Sequence, residues 1–312
     1  MTESAVSQPD YAWDRDSLDP TSVRIALPTD AIAEVESSRS RLAGLDNADA
    51  PEALKHFPRL AAALDSIRDT YIENAPGFCI IDGSSTAFLT MVERRALYLL
   101  CIEAFGRTLS QNAAGDHIVV VVDRGQPFSA GGRYHQTNAS GVLHSDSPQW
   151  PVVPDYVALL CVRTAMQGGE SKFISAYCVL ERLGQEHPDL VDELGQPFLF
   201  DKRGDFAAGE APVTPAPIVS TINGRLHFRY LRSYIDSGHR LSDVPLTGRQ
   251  TAALDALDEV LRREELVVSL RMEPGDLQVL NNHFVLHDRW PFVDYDEPER
   301  RRLMLRAWLQ RR

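Results

Sequence analysis

The first third of the chain combines helical periodicity with one short apolar run. From Pro51 to Glu73 the apolar residues recur at helical spacing, which predicts a helix whose first turns are broken or kinked at Pro58. The run Phe78–Ile81 predicts a buried strand that ends at the turn Asp82-Gly83. Thr86 to Phe105 predicts a second, more apolar helix, closed by a glycine. The apolar positions of the first helix are Leu54, Leu60, Leu64, Ile67 and Tyr71.

Beyond residue 106 the pattern becomes that of β-strands. One late helix, Thr247 to Glu264, begins with a capping box formed by Thr247 and Gln250. The stretch 196–225 is punctuated by Pro and Gly and predicts a long loop. Because helices precede a series of strands, without βαβ alternation, the predicted fold class is mainly β with flanking helices. The predicted strands are His117 to Val122, Tyr156 to Arg163, Leu266 to Leu270, Asp276 to Leu280 and Arg301 to Gln310.

Size and charge narrow the class of protein. The chain has 312 residues, and we expect a loose tail over 1–20 followed by a single domain over 21–312. Its formal net charge of -12 disfavours nucleic acid and anionic membranes as partners. No apolar run approaches the roughly 20 residues that a membrane helix needs. The N-terminus has no signal-peptide core and the four cysteines show no CxxC pairing, so we expect a cytoplasmic protein with reduced, buried thiols.

A candidate metal site combines residues from two distant segments. Gln136 to Asp146 is interpreted as extended chain, in which His144 and Asp146 share a face because side chains alternate along a strand. His287, far downstream, adds a second imidazole. Two histidines and one carboxylate form a facial triad that leaves positions open on Fe(II) for a bidentate co-substrate and O2. The pattern alone is weak, because the chain has nine histidines and a zinc site uses similar ligands.

An arginine pair near the C-terminus strengthens this interpretation. Arg302 and Arg306 are four residues apart on a predicted strand, so they face the same side as Met304 and Trp308. Two guanidinium groups that point into a β-core are costly unless they meet anions. A planar guanidinium binds a carboxylate through two parallel hydrogen bonds. The alternative is a basic surface terminus, which Arg300, Arg301, Arg311 and Arg312 form in any case.

In this order, the motifs resemble the taurine dioxygenase and clavaminate synthase branch of the Fe(II)/2-oxoglutarate dioxygenases. His144-Ser145-Asp146 corresponds to the family's His-x-Asp/Glu pair, and Gly168-Gly169-Glu170-Ser171 to its Gly-Gly-x-Thr/Ser turn. His287 is followed, about fifteen residues on, by Arg302-Leu303-Met304-Leu305-Arg306. The resemblance runs from residue 117 to the end. It implies a double-stranded β-helix, or jelly roll, of the clavaminate synthase type.

The resemblance also implies a role for each of these residues. His144, Asp146 and His287 hold Fe(II) and form the catalytic centre. Arg302 pairs with the distal carboxylate of 2-oxoglutarate, and Ser171 adds a hydroxyl where many members have threonine. With O2, the co-substrate yields succinate and CO2 while an unactivated C–H bond of the substrate is hydroxylated or otherwise oxidised. Related halogenases replace the carboxylate ligand with a small residue, so the presence of Asp146 disfavours halogenation.

The sequence says less about the substrate. The resemblance places Arg306 beside it, in reach of an acidic group, so we expect a small anionic or zwitterionic molecule. Gln136, Asn138 and Trp150 flank the first ligands and are further substrate-binding candidates. Iron sites of this kind need a lid that excludes water, and the loop 201–217 is our hypothesis for it. A polar and aromatic cluster between the two iron-binding segments consists of Arg229, Tyr230, Arg232 and Tyr234.

Several alternatives remain at this point. The polar N-terminal extension and the closing segment Arg306–Leu309 resemble the clavaminate synthase side of the family. That resemblance favours natural-product biosynthesis over catabolism of a sulfonate-like nutrient. A β-sandwich binding protein without turnover would have little reason to keep all five polar groups. A zinc hydrolase would leave Arg302 and Ser171 without a role. Whether the chain forms a homo-oligomer is open.

Overall fold

A computed structural model describes residues 10–112, 114–123, 141–206 and 209–312 of the chain. Within these residues eight α-helices are joined to the strands by short turns of 3-10 or π type. Four helices precede the first long strand, as the sequence predicts. The helices are α1 (Thr29–Ser37), α2 (Ala50–Leu54), α3 (Pro58–Ile67), α4 (Met91–Phe105), α5 (Ala176–Glu186), α6 (Pro188–Val191), α7 (Arg232–Leu241) and α8 (Gly248–Leu261).

The strands of the described residues form one large sheet and several small ones. They are β1 (Arg24–Ile25), β2 (Phe78–Ile81), β3 (Arg107–Leu109), β4 (Ile118–Val121), β5 (Tyr156–Arg163), β6 (Gln167–Gly168), β7 (Ser171–Ser175), β8 (Pro197–Asp201), β9 (Val213–Pro217), β10 (Val219–Ile222), β11 (Arg225–Phe228), β12 (Val268–Leu270), β13 (Leu277–Asn281), β14 (Val285–Arg289), β15 (Phe292–Val293) and β16 (Leu303–Gln310). The large sheet has the order β1-β2-β13-β5-β16-β3, with β4 also paired to β16. A three-stranded sheet has the order β12-β7-β14. The pairs β8-β9, β10-β11 and β6-β15 are separate two-stranded units.

The large sheet separates two hydrophobic layers. On one side Leu305 and Leu309 of β16 pack with the apolar faces of α1 to α4. On the other side Trp308 of β16 joins a core that includes Phe173 of β7 and Leu286 of β14. The three-stranded sheet therefore packs against the inner face of the large sheet. Because alternate residues of β16 face opposite layers, the even-numbered positions point between the two sheets.

Several local predictions are confirmed and some are wrong. The predicted helix over 51–73 breaks into α2 and α3, with Pro58 as the first residue of α3, a position that needs no N–H donor. The second helix begins at Met91 rather than Thr86, because Thr90 forms a capping box with Glu93. The capping box of α8 is present as predicted.

The stretch 196–225 includes one long connection, between β8 and β9, as predicted, but it is otherwise largely strand. It contains the hairpin β8-β9 and most of the hairpin β10-β11. Helix α7 was not predicted, since the polar and aromatic cluster that includes its first residues has no clear helical period. Its packing on β8 is close, because a Cβ at Gly238 would meet the carbonyl of Leu199.

Residues 10–20 contact the body of the domain. The indole of Trp13 is buried and donates to the carbonyl of Pro76. The Tyr11 ring contacts that of Tyr177 at a tilt and that of Phe284 edge to face. The division of the chain at residue 20 stays a prediction. Among the described residues no helix has the length and apolar character that crossing a bilayer requires.

The close packing of α7 on β8 yields a stability prediction. Gly238→Ala places a Cβ 2.1 Å from the oxygen of Leu199, so backbone must move. We expect the free energy of unfolding, measured in urea, to fall by about 1–3 kcal/mol. Gly248→Ala, at the open start of α8 with no atom within 4 Å of the new Cβ, is the matched control and should stabilise by at most about 1 kcal/mol. Equal losses in both variants would contradict this account.

Candidate metal centre and active site

A single antiparallel bridge joins the two segments of the predicted metal site. The backbone N–H of His144 donates to the carbonyl of His287 at 3.2 Å, and the N–H of His287 donates back at 3.0 Å. Asp146 follows two residues later on the same side of the chain. His287 lies in β14, which is paired on its other edge with β7. The two segments are therefore held in register by the three-stranded sheet.

His144, Asp146 and His287 form a compact, buried cluster. The Oδ1 atom of Asp146 lies 3.6 Å from Nε2 of His144 and 3.9 Å from Nε2 of His287. All three ligand atoms lie within 4.8 Å of one another, and no other such cluster occurs among the described residues. Bonds of about 2.0–2.2 Å to one ion would place neighbouring ligand atoms closer together than the 3.6 and 3.9 Å that separate Oδ1 from the two nitrogens. Two neutral nitrogens and one carboxylate suit Fe(II), so this donor set fits the predicted ion.

The electrostatics of the cluster favour cation binding. Burial alone would raise the pKa of Asp146, but the Arg306 guanidinium and the two imidazoles hold that pKa well below its usual value. Burial lowers the pKa of His287 to about 4. Burial also disfavours the charged form of His144, but its contact with Asp146 outweighs this and raises its pKa. At neutral pH the carboxylate is ionised and His287 is neutral, which are the forms that bind metal.

The second carboxylate oxygen of Asp146 is held by the large sheet. Its Oδ2 atom accepts a hydrogen bond from the indole N–H of Trp308 at 2.6 Å and another from the Arg306 guanidinium at 3.3 Å. Oδ1 is therefore left to face the imidazoles. The sequence placed Trp308 on the same face as the two arginines but did not suggest this contact. It follows from the alternation of β16.

A buried asparagine fixes the backbone around Asp146. The side-chain oxygen of Asn282 accepts from the N–H of Asp146 at 2.8 Å, and its amide donates to the carbonyls of Asp146 and Pro154, both at 3.0 Å. Asn282 follows β13 directly. The metal-binding segment is thus tied to a strand of the large sheet and, through His287, to the small sheet.

One cavity extends from the cluster towards Arg302. It is lined by Arg302, Ser171, Gln278, Arg289 and, at its inner end, by all three residues of the cluster. The Ser171 hydroxyl donates to Gln278 at 2.6 Å. Ser171 and Arg302, predicted to bind the same ligand, therefore do line the same space. Gln278 and Arg289 were not predicted, although a glutamine inside the apolar strand β13 was a visible signal.

The Arg302 guanidinium is buried without a carboxylate partner. Only 6% of the residue is exposed, and within the described part of the chain no carboxylate oxygen lies within 4 Å of its guanidinium. Burial, and next the charge of Arg289, lower the pKa of Arg302 to about 10, so it stays charged at neutral pH. Both guanidinium groups lie over the ring of Phe292, at 5.3 Å for Arg302 and 4.8 Å for Arg289. A buried guanidinium such as that of Arg302 is stabilised by an anion beside it.

The glycine turn allows Arg302 to reach this position. Gly168 and Gly169 both have φ values in the left-handed region, +74° and +80°. A Cβ at Gly169 would lie 3.3 Å from Nε of Arg302. The second glycine therefore serves two needs, a positive φ and space for the arginine beside it.

A second cavity also reaches the cluster, at His144 and Asp146. Trp150 lies on its wall and meets Trp308 edge to face, with ring centroids 5.1 Å apart. Arg306 lines both cavities. Gln136 and Asn138 lie outside the described residues. The sequence did not suggest Gln111, Ser147 or Gln149, which also line this cavity.

The polar and aromatic cluster at 229–234 divides between support and cavity wall. Tyr230 is buried and its hydroxyl donates to Asp258, and Arg232 forms ion pairs with acidic residues of α7 and α8. Arg229 donates to the carbonyls of Pro148 and Trp150. Tyr234 lines the second cavity. The predicted lid segment contributes Lys202, Arg203 and Asp205 to the same cavity.

Comparisons with known proteins agree with this site. The family model described as "Taurine catabolism dioxygenase TauD, TfdA family" matches residues 39–308. FR-33289 synthase of Streptomyces rubellomurinus (strain ATCC 31215) is 33% identical over 243 residues, covering 76% of this chain and 70% of that protein. A uridine-5'-phosphate dioxygenase of Amycolatopsis sp is 26% identical over 149 residues, covering 48% of this chain and 53% of the relative.

Solved structures share the fold. An asparagine oxygenase in complex with Fe(II), 2S,3S-3-hydroxyasparagine and succinate superimposes with a TM-score of 0.71 at 18% identity, covering 92% of this chain and 93% of the other. The non-heme iron oxygenase OrfP in complex with Fe and alpha-ketoglutaric acid gives 0.68 at 14% identity, covering 92% and 94%. The predicted clavaminate synthase-like jelly roll is thereby confirmed.

The fold and the His-x-Asp…His cluster define an Fe(II)/2-oxoglutarate-dependent dioxygenase, an enzyme that uses Fe(II), 2-oxoglutarate and O2. More particularly, the chain belongs to the TauD/TfdA family.

The contact between Trp308 and Asp146 yields a prediction about metal affinity. Trp308→Phe keeps an aromatic ring in the core but removes the N–H donor to Oδ2. Because partners of a ligand orient it, we expect Fe(II) affinity, measured by anaerobic titration, to fall about 10- to 100-fold. Trp150→Phe, which removes an indole from the same cavity without touching the carboxylate, is the control and should bind Fe(II) like the unaltered protein. Unchanged affinity in Trp308→Phe would show that the hydrogen bond has no positioning role.

Proposed function

We propose that the protein hydroxylates, or otherwise oxidises, an unactivated C–H bond of a small anionic or zwitterionic molecule in natural-product biosynthesis. For each turnover one O2 and one 2-oxoglutarate would be consumed, and succinate, CO2 and the oxidised product released. The family model is named for taurine catabolism, so oxidation of a sulfonate-like nutrient is the competing assignment. The relative at 33% identity is named as a synthase, which supports biosynthesis.

The observation that carries this proposal is the pair of cavities that meet at the metal cluster. One is lined by the buried cation Arg302 and the half-buried cation Arg289, and the other by Trp150 and Tyr234. An oxygenase of this class must hold a dicarboxylic co-substrate and a second organic molecule at the same ion. Two cavities that both reach the metal cluster meet that requirement.

Each predicted site residue receives a role under this proposal. His144, Asp146 and His287 hold Fe(II). Arg302 pairs with the distal carboxylate of 2-oxoglutarate, because its buried guanidinium lines the same cavity as the metal cluster and can donate two parallel hydrogen bonds to a carboxylate. Ser171 donates to the same carboxylate once its hydrogen bond to Gln278 is exchanged.

The substrate side has its own set of residues. Trp150 forms a wall of the second cavity, and Arg306 lies between that cavity and Asp146. Gln136 and Asn138 keep their proposed substrate role on the strength of the sequence alone. The segment between β8 and β9 remains the candidate lid.

Fe(II), when bound, supplies the activation of O2 at the expense of 2-oxoglutarate. The protein contributes position and exclusion of water. Trp308 and Arg306 hold Asp146 in one orientation, so the ligand atom facing the imidazoles is fixed. The aromatic rings of Trp150 and Trp308 place apolar surface beside the cluster. A dry wall at this point limits side reactions of the oxidising species.

Substrate-dependent succinate formation tests the proposed function. Purified protein with Fe(II), 2-oxoglutarate and ascorbate would be offered amino acids, sulfonates and related acids. We expect one class to raise succinate release above the background rate, with a product that has gained one oxygen atom or lost two hydrogens. If the Fe(II)–2-oxoglutarate complex gives its weak visible charge-transfer band but no compound stimulates turnover, a binding protein without catalysis becomes the better description.

Two substitutions separate metal binding from co-substrate binding. His287→Ala should abolish high-affinity Fe(II) binding and succinate formation. Arg302→Ala should leave Fe(II) bound but weaken 2-oxoglutarate binding by about 10- to 100-fold, the cost of losing charge-assisted hydrogen bonds of about 1.5–3 kcal/mol. Arg289→Leu should cause a smaller loss in the same direction. Affinities would be measured anaerobically by titration of the visible band and by calorimetry.

A ligand without the distal carboxylate provides the control for this division of roles. 2-Oxopentanoate keeps the keto acid that chelates the metal but has no distal carboxylate. Its affinity should be weak and nearly the same in the unaltered protein and in Arg302→Ala. If both His287→Ala and Arg302→Ala lost Fe(II) equally, the assignment of Arg302 to the co-substrate would be wrong.

A further inference from the structure

The second cavity carries a surplus of positive charge. Lys202, Arg203 and Arg306 line it, whereas Asp205 is the one described acidic residue on its wall apart from the metal ligand Asp146. The whole chain has a net charge of -12. A cationic chamber within so acidic a protein is a local arrangement, and it favours an anion there.

Arg306 is already engaged by the protein. Its Nε donates to the side-chain oxygen of Gln111 at 2.9 Å, and one terminal nitrogen donates to Asp146 at 3.3 Å. Its guanidinium also lies over the Trp308 ring, 4.5 Å from the centroid. Movement towards a substrate would remove one of the two side-chain hydrogen bonds that hold the Asp146 carboxylate. We therefore assign Arg306 chiefly to the support of Asp146.

Lys202 and Arg203 are held less tightly. The ammonium group of Lys202 lies 3.8 Å from Glu210, and a terminal nitrogen of Arg203 lies 3.8 Å from Asp201, both beyond hydrogen-bond distance. The side chains are nevertheless largely covered, at 17% and 32% exposure. Arg203 lies over the ring of Tyr234, on the cavity wall, with 5.5 Å to the centroid. Both cations can therefore take up an anion without breaking a close ion pair.

Two polar groups close to the metal cluster point to the same ligand. The Ser147 hydroxyl and the Gln149 side-chain oxygen line the cavity, are buried, and have no hydrogen-bond partner among the described residues. Ser147 follows the ligand Asp146 and has a φ of 52°, in the left-handed region that non-glycine residues rarely adopt. Unsatisfied buried polar groups are costly and strained residues cluster at binding sites. A bound molecule with hydrogen-bonding groups would satisfy both.

We propose that Lys202 and Arg203 form the anion subsite of the primary substrate, while Ser147 and Gln149 bind a hydrogen-bonding group nearer to the metal. This inference rests on the proposed function and makes its substrate more definite. The substrate is an organic acid whose carboxylate, sulfonate or phosphate group lies at the β8-β9 segment. The carbon to be oxidised lies between the metal cluster and the substrate's hydrogen-bonding group.

The same arrangement connects substrate binding to closure of the site. Lys202 and Arg203 follow β8 directly, in the segment that also carries Asp205. An acid bound by these two cations replaces their loose contacts with charge-assisted hydrogen bonds. Lys202 and Arg203 are then held against the substrate at the cavity wall. The oxidising centre is thereby shielded at the stage at which water is most harmful.

Three small acids test the subsite whatever the natural substrate is. Acetate, methanesulfonate and methyl phosphate represent the three acid classes. Each would be titrated by calorimetry into the full-length protein loaded anaerobically with Fe(II) and 2-oxoglutarate. We expect at least one to bind in the millimolar range or better, and the double variant Lys202→Ala/Arg203→Ala to weaken that binding at least about tenfold. The acid that binds most tightly identifies whether the substrate carries a carboxylate, a sulfonate or a phosphate group.

A charge-matched control removes the same net charge elsewhere. Lys55→Ala/Arg249→Ala changes two exposed cations remote from the cavity and should bind the acid like the unaltered protein. Gln149→Leu should leave small-acid binding intact but raise the KM of any substrate found in the activity screen. Its kcat should change less, because the contact is made before the reaction.

The outcomes separate this inference from the proposed function. If no acid binds, or if Lys202→Ala/Arg203→Ala binds it as the unaltered protein does, the anion subsite is refuted, even though the Fe(II)–2-oxoglutarate band forms normally. If the band itself does not form in the unaltered protein, the proposed function fails at its first step. Affinity lost equally in both double variants would reflect net charge alone and would also overturn the subsite.

Discussion

The antiparallel bridge between His144 and His287 is the constraint on which the active site depends. Two reciprocal backbone hydrogen bonds place the two imidazoles side by side, with ring centroids 4.9 Å apart. The side chain of Asn282 then fixes Asp146 from the opposite sheet. Each ligand is thus positioned by backbone geometry rather than by its own flexible side chain. A preorganised ligand set loses little entropy when the ion binds.

The buried charges around the cluster are arranged so that the metal and the co-substrate complete their ion pairs. Asp146 is ionised and meets Arg306 and Trp308 through one oxygen while its other oxygen faces the imidazoles. Arg302 is charged and has the neighbouring cation Arg289. The Asp294 carboxylate accepts from its backbone N–H, but among the described residues no carboxylate forms an ion pair with its guanidinium. Isolated charges in a protein interior are expensive. The stability that is lost at these positions is recovered when the metal and the dicarboxylic co-substrate are in place.

The sequence predicted the elements whose signal is local or alternating. The strand over 156–163, the capping box at Thr247 and the shared face of Arg302 and Arg306 were all predicted. These features depend on side-chain period or on adjacent residues, and the motif order then supplied the family's fold. The interpretation of Pro58 as a helix break also followed from its chemistry.

What the sequence did not predict depends on tertiary contacts. The hairpin β8-β9 packs on α7, and the hairpin β10-β11 is formed by pairing of its own two strands. Lys202 and Arg203 stand in a polar stretch, and nothing in their local pattern places them opposite the metal. Gln278 and Trp308 have clear positions along their strands, but their partners come from distant parts of the chain.

The cationic cavity lies inside a molecule whose outer field has the opposite sign. Within a Debye length of the surface, about 10 Å at 0.1 M ionic strength, an incoming organic acid experiences mainly repulsion from the acidic surface. Within the cavity it experiences attraction instead. Dissolved ions therefore have two effects. They screen the repulsion between the acid and the acidic surface, and they screen the attraction between the bound acid and the cations of the cavity. The rate at which the acid is captured and the time for which it stays bound then depend on different parts of the charge distribution. A rise in ionic strength can raise the capture rate while it shortens the bound time.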